Sequence, residues 1–176
     1  MTEPSPEPSP VPSTVPVERV VPPAMMTRLA NPVLTWLLSG RRRSTKVGQG
    51  LLLLHVTGRR SGRVYSTPVA YHRLPDGRLL VVSSSRWRVN LRGRATPVEL
   101  TLLGKRVPAT ATLEERPEAV AEVYERMIRD LGPDQARRRL GIRINVPRVP
   151  TPAELEDAVR REHLSLIHLD VARGEV

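Results

Sequence analysis

Short apolar runs alternate with turn sequences through the centre of the chain, a pattern typical of strands joined by hairpins. Residues 50–57 (GLLLLHVT) form one such run and predict a buried strand. Residues 63–73 and 78–85 flank the turn sequence LPDG and predict a hairpin. Because Pro68 donates no ladder hydrogen bond, its strand must lie at an edge, carry a bulge or break.

A second predicted hairpin, formed by residues 97–103 and 106–113, precedes a change to helical periodicity. From residue 120 to residue 131, apolar side chains recur every three or four positions and predict an amphipathic helix that ends at Gly132. The next segment, PDQARRRLG, predicts a short helix. Its three arginines, residues 137–139, are expected to form a solvated face.

Further helices are predicted from their capping residues. Thr151 and Glu154 form a capping box, and LSLIHLDV at 164–171 then predicts a final strand. Near the N-terminus, NPVLTWLLSG at 31–40 predicts an apolar helix. Because the strands follow one another without crossover helices, we expect an α+β fold. It consists of an antiparallel sheet or barrel with a helix before it and helices inserted before a final strand.

Composition divides the chain into a tail and a domain. Residues 1–23 hold eight of the 18 prolines, so we expect a disordered Pro-rich tail, followed by a single domain over residues 24–176. The tail lacks the apolar stretch of a signal peptide, and no segment reaches the roughly 20 apolar residues of a transmembrane helix. The predicted location is cytoplasmic. Membrane association through the apolar and basic residues 24–43 stays open.

Positive charge is concentrated in the middle of the chain. Between residues 41 and 106 there are 15 Lys and Arg against two acids, a net charge of +13, whereas the remainder carries −3. Such a field attracts nucleic acid, an anionic membrane or a polyanionic small molecule. Nucleic acid is disfavoured, because aromatic residues make up only 3% of the chain. With no cysteine and no histidine pair at metal-ligand spacing, no metal site is predicted.

The sharpest motif is TGRRSGR at residues 57–63, which combines two glycines with Arg59, Arg60 and Ser61. Glycine permits backbone conformations that turn amides toward a ligand, and guanidinium and hydroxyl groups bind phosphate or carboxylate. The motif lacks the Gly-Lys-Ser/Thr ending of a Walker loop and is not a dinucleotide fingerprint. The alternative is a basic hairpin loop whose glycines serve only to turn the chain.

A second motif, SSSRWRVNLRGR, covers residues 83–94. Its hydroxyl, indole and guanidinium groups suit a flat, hydroxylated and charged ligand. The alternative is a turn into a short helix in which Trp87 and Leu91, four residues apart, fill the core.

Together these segments resemble the deazaflavin-dependent nitroreductase and quinone reductase family over about residues 30–113. The similar parts are the helix that begins NP, the stretch LLLHVTGRRSGRVYSTPVAYHR, the run LLVVSSS and W-x-x-N-L-R at 87–92. The resemblance implies a split β-barrel of the FMN-binding type. It also implies an oxidoreductase that transfers hydride from reduced coenzyme F-420 to a small quinone-like or nitroaromatic acceptor. This cofactor is a deazaflavin with a ribityl phosphate and a polyglutamate tail.

The resemblance also implies roles for particular residues. Arg59, Arg60 and Ser61 map to the turn beside the phosphate and the anionic tail, and Tyr71 and Ser84 are candidate proton donors. The other cofactor-binding positions that it implies are Thr67, Pro68, Ser83, Ser84, Ser85, Trp87, Asn90, Leu91 and Arg92.

This chain departs from the family pattern in two places. The loop before Asn90 is short, and Arg88 stands where the family has tyrosine. The tyrosine-rich C-terminal portion is also missing, so Tyr124 is the one tyrosine after residue 113. A split barrel that binds FMN or haem, and a basic non-enzymatic nucleic-acid binder, are therefore the alternatives. The partners that the resemblance implies are a small-molecule electron acceptor and a second copy of the chain in a homodimer.

Overall fold

The central apolar runs form strands, as their alternation with turns predicts. The structure, a computed structural model, describes residues 15–20, 38 and 50–171. β2, β5, β6, β7 and β9 coincide with predicted segments to within about two residues, whereas the segment 63–73 divides into two strands. The strands are β1 (Val17–Arg19), β2 (Leu51–Thr57), β3 (Val64–Ala70), β4 (His72–Arg73), β5 (Leu79–Ser83), β6 (Thr96–Leu102), β7 (Lys105–Glu114), β8 (Ile142–Ile144) and β9 (Ser165–Val171).

The helices also follow the predicted periodicity. They are α1 (Pro117–Leu131), α2 (Pro133–Leu140) and α3 (Pro152–Glu162), with a 3₁₀ helix at Arg86–Leu91. The capping box that starts α3 is complete, since Thr151 and Glu154 each accept a hydrogen bond from the other's backbone N–H. The 3₁₀ helix is the short helix that the alternative interpretation of residues 83–94 predicts.

Seven strands form one antiparallel sheet in the order β3-β2-β6-β7-β9-β5-β4. The last strand in sequence, β9, lies inside this order, with β7 on one side and β5 on the other. The predicted hairpin β6–β7 is present. Of the predicted hairpin between 63–73 and 78–85, only residues 72–73 pair with β5, whereas residues 64–70 form β3 and pair with β2. The α+β fold class is therefore confirmed, including the final strand that follows the helices.

The sheet curls into half a barrel that is split between β3 and β5. β3 lies at one edge of the sheet, and β4 at the other edge covers only the start of β5. Residues of β3 and β5 line the two walls of one cleft across the split. Pro68 pairs with Leu53 in the edge strand β3, where a residue without an amide hydrogen is tolerated. The split barrel that the resemblance implies is the architecture observed.

Two apolar clusters cover the two faces of this sheet. Leu79 and Val81 of β5 point into the curl, where they pack with residues of β2, β6, β7 and β9. Leu80, between them in sequence, packs on the opposite face against the three α-helices and β1. This alternation follows the period of two that a strand imposes. The helices therefore lie over the outer face of β5 and β9 and reach one end of the split.

A two-stranded sheet of β1 and β8 corrects the prediction of a disordered tail over residues 1–23. β1 pairs antiparallel with β8, with Val17 opposite Ile144. Val17 is only 1% exposed and packs in the helical cluster. Burial of an apolar side chain stabilises the ordered chain, so this valine overrides the local effect of the nearby prolines. Residues 1–14 lie outside the described part of the chain.

The predicted helix at 31–40 and the candidate membrane-contact segment at 24–43 also lie outside the described residues, apart from Leu38. Leu38 is helical and 1% exposed. No helix in the part of the chain that the structure describes is long and apolar enough to cross a membrane.

Replacement of Val17 by alanine tests whether β1 belongs to the folded core. The substitution removes two buried carbon atoms, so we expect the free energy of unfolding to fall by about 1–2 kcal/mol. Val149→Ala is the matched control, because Val149 is 39% exposed and should lose less than about 0.5 kcal/mol. Urea unfolding measures both variants, and equal losses would contradict the core position of β1.

Candidate functional site

A cleft of about 310 Å³ opens at the split between β3 and β5. Residues 67–70 of β3 form one wall and residues 82–85, at the end of β5, form the other. Trp87 of the 3₁₀ helix lines the cleft, and residues 138–141 at the end of α2 border it on the helical side. An aromatic side chain and strand edges with several hydroxyl groups suit a flat, partly polar ligand.

Several residues that were predicted separately meet in this cleft. They come from two segments, residues 67–68 and residues 83–87, which lie about fifteen residues apart in sequence and which the curl of the sheet brings face to face. A second recess, of about 540 Å³, shares Ser84 and Ser85 with the cleft and runs along the 3₁₀ helix as far as Arg92. The predicted residues that line the cleft are Thr67, Pro68, Ser83, Ser84, Ser85 and Trp87.

A buried arginine holds the serine wall, residues 83–85. Arg88 is 8% exposed, and its Nη1 donates to the carbonyl oxygens of Ser84 and Ser85, each at 3.1 Å. Its Nε donates to Glu115 Oε1 at 3.1 Å, and Arg92 Nε donates to Glu115 Oε2 at 2.7 Å. The hydrogen bonds from Arg92, and then those from Arg88, hold the pKa of Glu115 below its usual range. The carboxylate therefore stays charged and balances the buried guanidinium.

A row of hydrogen-bonded side chains holds the β3 wall. His55 of β2 is 6% exposed; its Nδ1 lies 2.7 Å from Ser66 Oγ and its Nε2 lies 2.8 Å from Thr101 Oγ1. Burial, with a smaller effect of the Arg106 charge, lowers the pKa of His55, and the neutral imidazole can donate to one hydroxyl and accept from the other. Because Ser66 directly precedes Thr67, this row fixes the strand that carries the wall.

The Gly-Arg turn, residues 58–63, joins β2 to β3. Gly58 N–H donates to Arg63 O, and Gly62 N–H donates to Gly58 O, both at 2.8 Å. A Cβ on Gly58 would lie 2.6 Å from Ser61 Oγ and 2.8 Å from Tyr65 Cε2, so a larger residue there would displace these two side chains. The turn is consequently compact, with its tip at Arg60 and Ser61.

The tip of the turn presents donors without partners. Among the described residues, the amides of Arg60 and Ser61 donate no hydrogen bond, and the Arg60 side chain has no ion pair. The Ser61 hydroxyl accepts from Arg63 N–H at 3.3 Å and lies 3.2 Å from the Tyr65 hydroxyl. Free amides beside a guanidinium form an anion-binding concavity.

Arg59 joins the turn to the 3₁₀ helix. Its backbone N–H donates to Asn90 Oδ1 at 3.1 Å, and its Nη1 donates to Arg92 O at 2.9 Å. Asn90 Nδ2 in turn donates to Trp87 O at 2.9 Å. Leu91, also among the predicted cofactor-binding positions, is 1% exposed in the core inside the curl. These contacts hold the turn against the 3₁₀ helix. The turn residues and residues 90–92 are not among the described residues that line the cleft itself.

Three arginines on the cleft are missed by the sequence analysis. Arg19 of β1 and Arg138 and Arg139 of α2 line it. Residues 137–139 are predicted to be a solvated helix face, and they are exposed, but the end of α2 also borders the cleft. No acid is among the described residues that line the cleft. These three arginines lie outside the basic segment 41–106, and no sequence pattern places α2 or β1 beside β3.

Tyr124 of α1 also lines the cleft, whereas Tyr71 does not. Tyr124 is 1% exposed, and burial raises the pKa of its phenol, so the hydroxyl keeps its proton. Tyr71, a predicted proton-donor candidate, lies in a neighbouring groove, where the Arg73 guanidinium is 6.0 Å from its ring centroid. Ser84, the other candidate, is on the cleft.

Comparison with known proteins places this chain in a family. The family model described as F420H(2)-dependent quinone reductase matches residues 38–148, more than half of the 176 residues. The chain belongs to the F420H(2)-dependent quinone reductase family. It is therefore an oxidoreductase whose cofactor is coenzyme F-420 and whose acceptor is a small molecule. The matched residues include the Gly-Arg turn, both walls of the cleft and α2.

Two further comparisons concern curated proteins and solved structures. No curated protein matches the chain. A solved structure described as a domain-swapped dimer is similar at 14% identity, over 85% of this chain and 100% of that chain, with a TM-score of 0.43.

The site of this family member fits the chemistry of its cofactor. The free amides of Arg60 and Ser61 and the compact turn at Gly58 form a donor set that suits a phosphate. The indole of Trp87 and the hydroxyl-rich walls suit a flat ring system with polar edges. The residues present can therefore hold an elongated anionic cofactor with an aromatic end.

Replacement of Glu115 by glutamine tests how the serine wall is held. At pH 7 the variant loses charge-assisted hydrogen bonds with Arg88 and Arg92, so we expect it to unfold at lower urea concentration than the unchanged protein. Folding lowers the pKa of Glu115 from its usual 4.5, so this stabilisation is present above that pH and is lost as the pH falls through the folded value.

The difference in urea midpoint between E115Q and the unchanged protein should therefore shrink as the pH is lowered from 7 to about 3.5. Glu156→Gln is a control, because Glu156 pairs with Arg160 in an i,i+4 pair on a helix surface, where such pairs contribute little. A midpoint difference for E115Q that stays constant over this pH range would contradict a charged, stabilising Glu115.

Proposed function

We propose that this protein transfers hydride from reduced coenzyme F-420 to a quinone-like or nitroaromatic acceptor in the cleft between β3 and β5. The proposal is carried by the family membership over residues 38–148, combined with a cleft lined by hydroxyl groups and Trp87. The Gly-Arg turn, with its free amides, is bonded to the 3₁₀ helix that carries Trp87. When bound, the cofactor supplies the hydride. The protein needs no nucleophile of its own, so its residues bind, orient and protonate.

The Gly-Arg turn holds the phosphate and the anionic tail in this proposal. The amides of Arg60 and Ser61 and the Arg60 guanidinium supply the donors, since none of them has another partner among the described residues. Arg59 contributes its charge, and its bond to Arg92 O keeps the turn against the 3₁₀ helix. Fixed donors lose little conformational entropy on binding, which favours affinity.

The walls of the cleft hold the ring system. Thr67 and Pro68 contact one side, residues 83–85 supply hydroxyl groups on the other, and Trp87 offers an aromatic surface. The bonds from Arg88 to the carbonyls of Ser84 and Ser85 and the row from His55 to Ser66 fix the spacing of the walls. Fixed walls orient the acceptor against the ring and exclude water from between them.

Ser84 and Tyr124 are the residues of this chain that we assign to proton donation. Hydride reduction of a quinone to a neutral hydroquinone requires one proton for each hydride. Both residues line the cleft, and burial raises the pKa of the Tyr124 phenol, so it carries its proton. Tyr71 is less suitable, because it lies in the neighbouring groove.

Spectral titration with oxidised coenzyme F-420 and with FMN in parallel tests the proposal. We expect saturable binding of F-420 and weaker binding of FMN, which lacks the acidic tail that the arginines attract. Arg60→Gln should weaken F-420 binding by roughly 1.5–3 kcal/mol, since it removes a charge-assisted hydrogen bond.

Arg137→Gln is the control for this titration. Arg137 is exposed on α2 and is not among the residues that line the cleft, so its variant should bind F-420 as the unchanged protein does. Absence of F-420 binding by the unchanged protein would overturn the proposed function. Equal affinities of R60Q and R137Q would overturn the role of the turn.

A further inference from the structure

In the part of the chain that the structure describes, the arginines of α1 and α3 form ion pairs within their helices, whereas those of α2 do not. In α1 and α3, four arginines each form an ion pair with an acid four residues earlier, which are Arg126–Glu122, Arg129–Glu125, Arg160–Glu156 and Arg161–Asp157. α2 offers the same spacing, because Asp134 lies four residues before Arg138.

The α2 arginines do not use that partner. Among the described residues, Arg138, Arg139 and Arg19 form no ion pair with any acid. All three line the cleft, which has no acidic lining residue there. Guanidinium groups that meet at one cleft without a carboxylate create an uncompensated positive field, which favours an anionic ligand.

Arg138 and Arg139 lie at the opposite end of β3 from the Gly-Arg turn. The turn directly precedes Val64, the first residue of β3. Arg138 and Arg139 line both the cleft and the neighbouring groove, together with Ala70, the last residue of β3. A seven-residue strand is roughly 20 Å long. The two groups of arginines therefore cannot hold the same phosphate, and they form two separate anion sites.

The neighbouring groove, of about 1000 Å³, offers only one competing acid. Asp130 is among its described lining residues, and it forms no ion pair with Arg138 or Arg139. Residues 123, 127 and 131 of α1 and Leu74 contribute apolar side chains beside these arginines. A ligand that carries an acid group on an apolar ring would satisfy both surfaces.

We infer that Arg138, Arg139 and Arg19 bind an acid group of the electron acceptor, so that the preferred acceptor is an aromatic or quinone compound with a carboxylate or sulfonate. The inference rests on the proposed function, in which the Gly-Arg turn holds the cofactor's phosphate and the walls hold its ring. The acceptor then lies beyond the ring, at the α2 end of the cleft. The planar, bidentate guanidinium is well suited to such an acid group.

Equilibrium dialysis with 2-naphthoate and 2-naphthamide tests this inference without turnover, because the two compounds share their shape and differ in charge. The protein is saturated with oxidised F-420. We expect the unchanged protein to bind naphthoate about tenfold or more tightly than naphthamide, the effect of one charge-assisted bond. The double variant R138Q/R139Q should lose this preference while its affinity for naphthamide stays the same.

Two single variants sharpen the result. Arg19→Gln leaves α2 intact and should also reduce the preference for naphthoate, whereas Arg137→Gln, on the same helix but off the cleft, should keep it in full. Urea unfolding of each variant checks that the fold is retained. Equal binding of the two compounds by the unchanged protein, or a preference that R138Q/R139Q retains, would overturn the inference.

The acidic tail of the cofactor is the alternative ligand for the α2 arginines. Titration of R138Q/R139Q with F-420 distinguishes it from the acceptor. We expect an unchanged cofactor affinity, and a fall of about tenfold or more would overturn the assignment to the acceptor. If the unchanged protein bound no F-420, the proposed function would fail, and the naphthoate preference of the cofactor-free protein would still decide whether this anion site exists.

Discussion

The pairing of β9 between β5 and β7 is the interaction on which the site depends. Without it, β5 and β4 would have no ladder to the rest of the sheet, and the two walls of the cleft would have no common frame. Ser165, the first residue of β9, lies opposite Ser83 in the ladder, and its Oγ donates to Ser83 O at 2.7 Å. Leu166 and Ile167, both 0% exposed, anchor the strand on its two faces. The end of the chain thus sets the position of the serine wall.

Some arginines of this protein hold the fold together and others are available to a ligand. Those that hold the fold are paired with a carboxylate, and those available to a ligand are not. Arg88 is buried and paired with Glu115, so it acts as a structural bracket for the serine wall. Arg60, at the tip of the Gly-Arg turn, and Arg138, on the cleft, have no acidic partner among the described residues. Their charge is therefore available to a ligand.

Much of the fold follows from local pattern. The apolar run at 79–82 and the three-and-four spacing of α1 predict elements that the structure contains, because β5 is buried on both faces and α1 on one. Pro68 predicts an edge, a bulge or a break in its strand, and the structure has the edge. In the 3₁₀ helix Leu91 fills the core, and Trp87 both packs against that core and lines the cleft.

Other parts of the site depend on contacts between distant segments. Arg19 reaches the cleft because β1 pairs with β8, more than a hundred residues later, and the Pro-rich surroundings of β1 hide that strand. The sequence predicts Arg138 to be a surface residue, and it is exposed. It also borders the cleft, because α2 ends there, and no spacing along the helix indicates that position. Tyr124 follows the helical period of α1, but only the packing of α1 on the sheet gives it a place in the cleft.

A crystal structure of the protein with oxidised coenzyme F-420 tests most directly whether the Gly-Arg turn holds the cofactor while the α2 arginines stay free for the acceptor. We expect the phosphate at the amides of Arg60 and Ser61, the ring between β3 and the serine wall, and no cofactor atom bound to Arg138 or Arg139. A phosphate or glutamate carboxylate on the α2 arginines, or a ring outside the cleft, would contradict this arrangement.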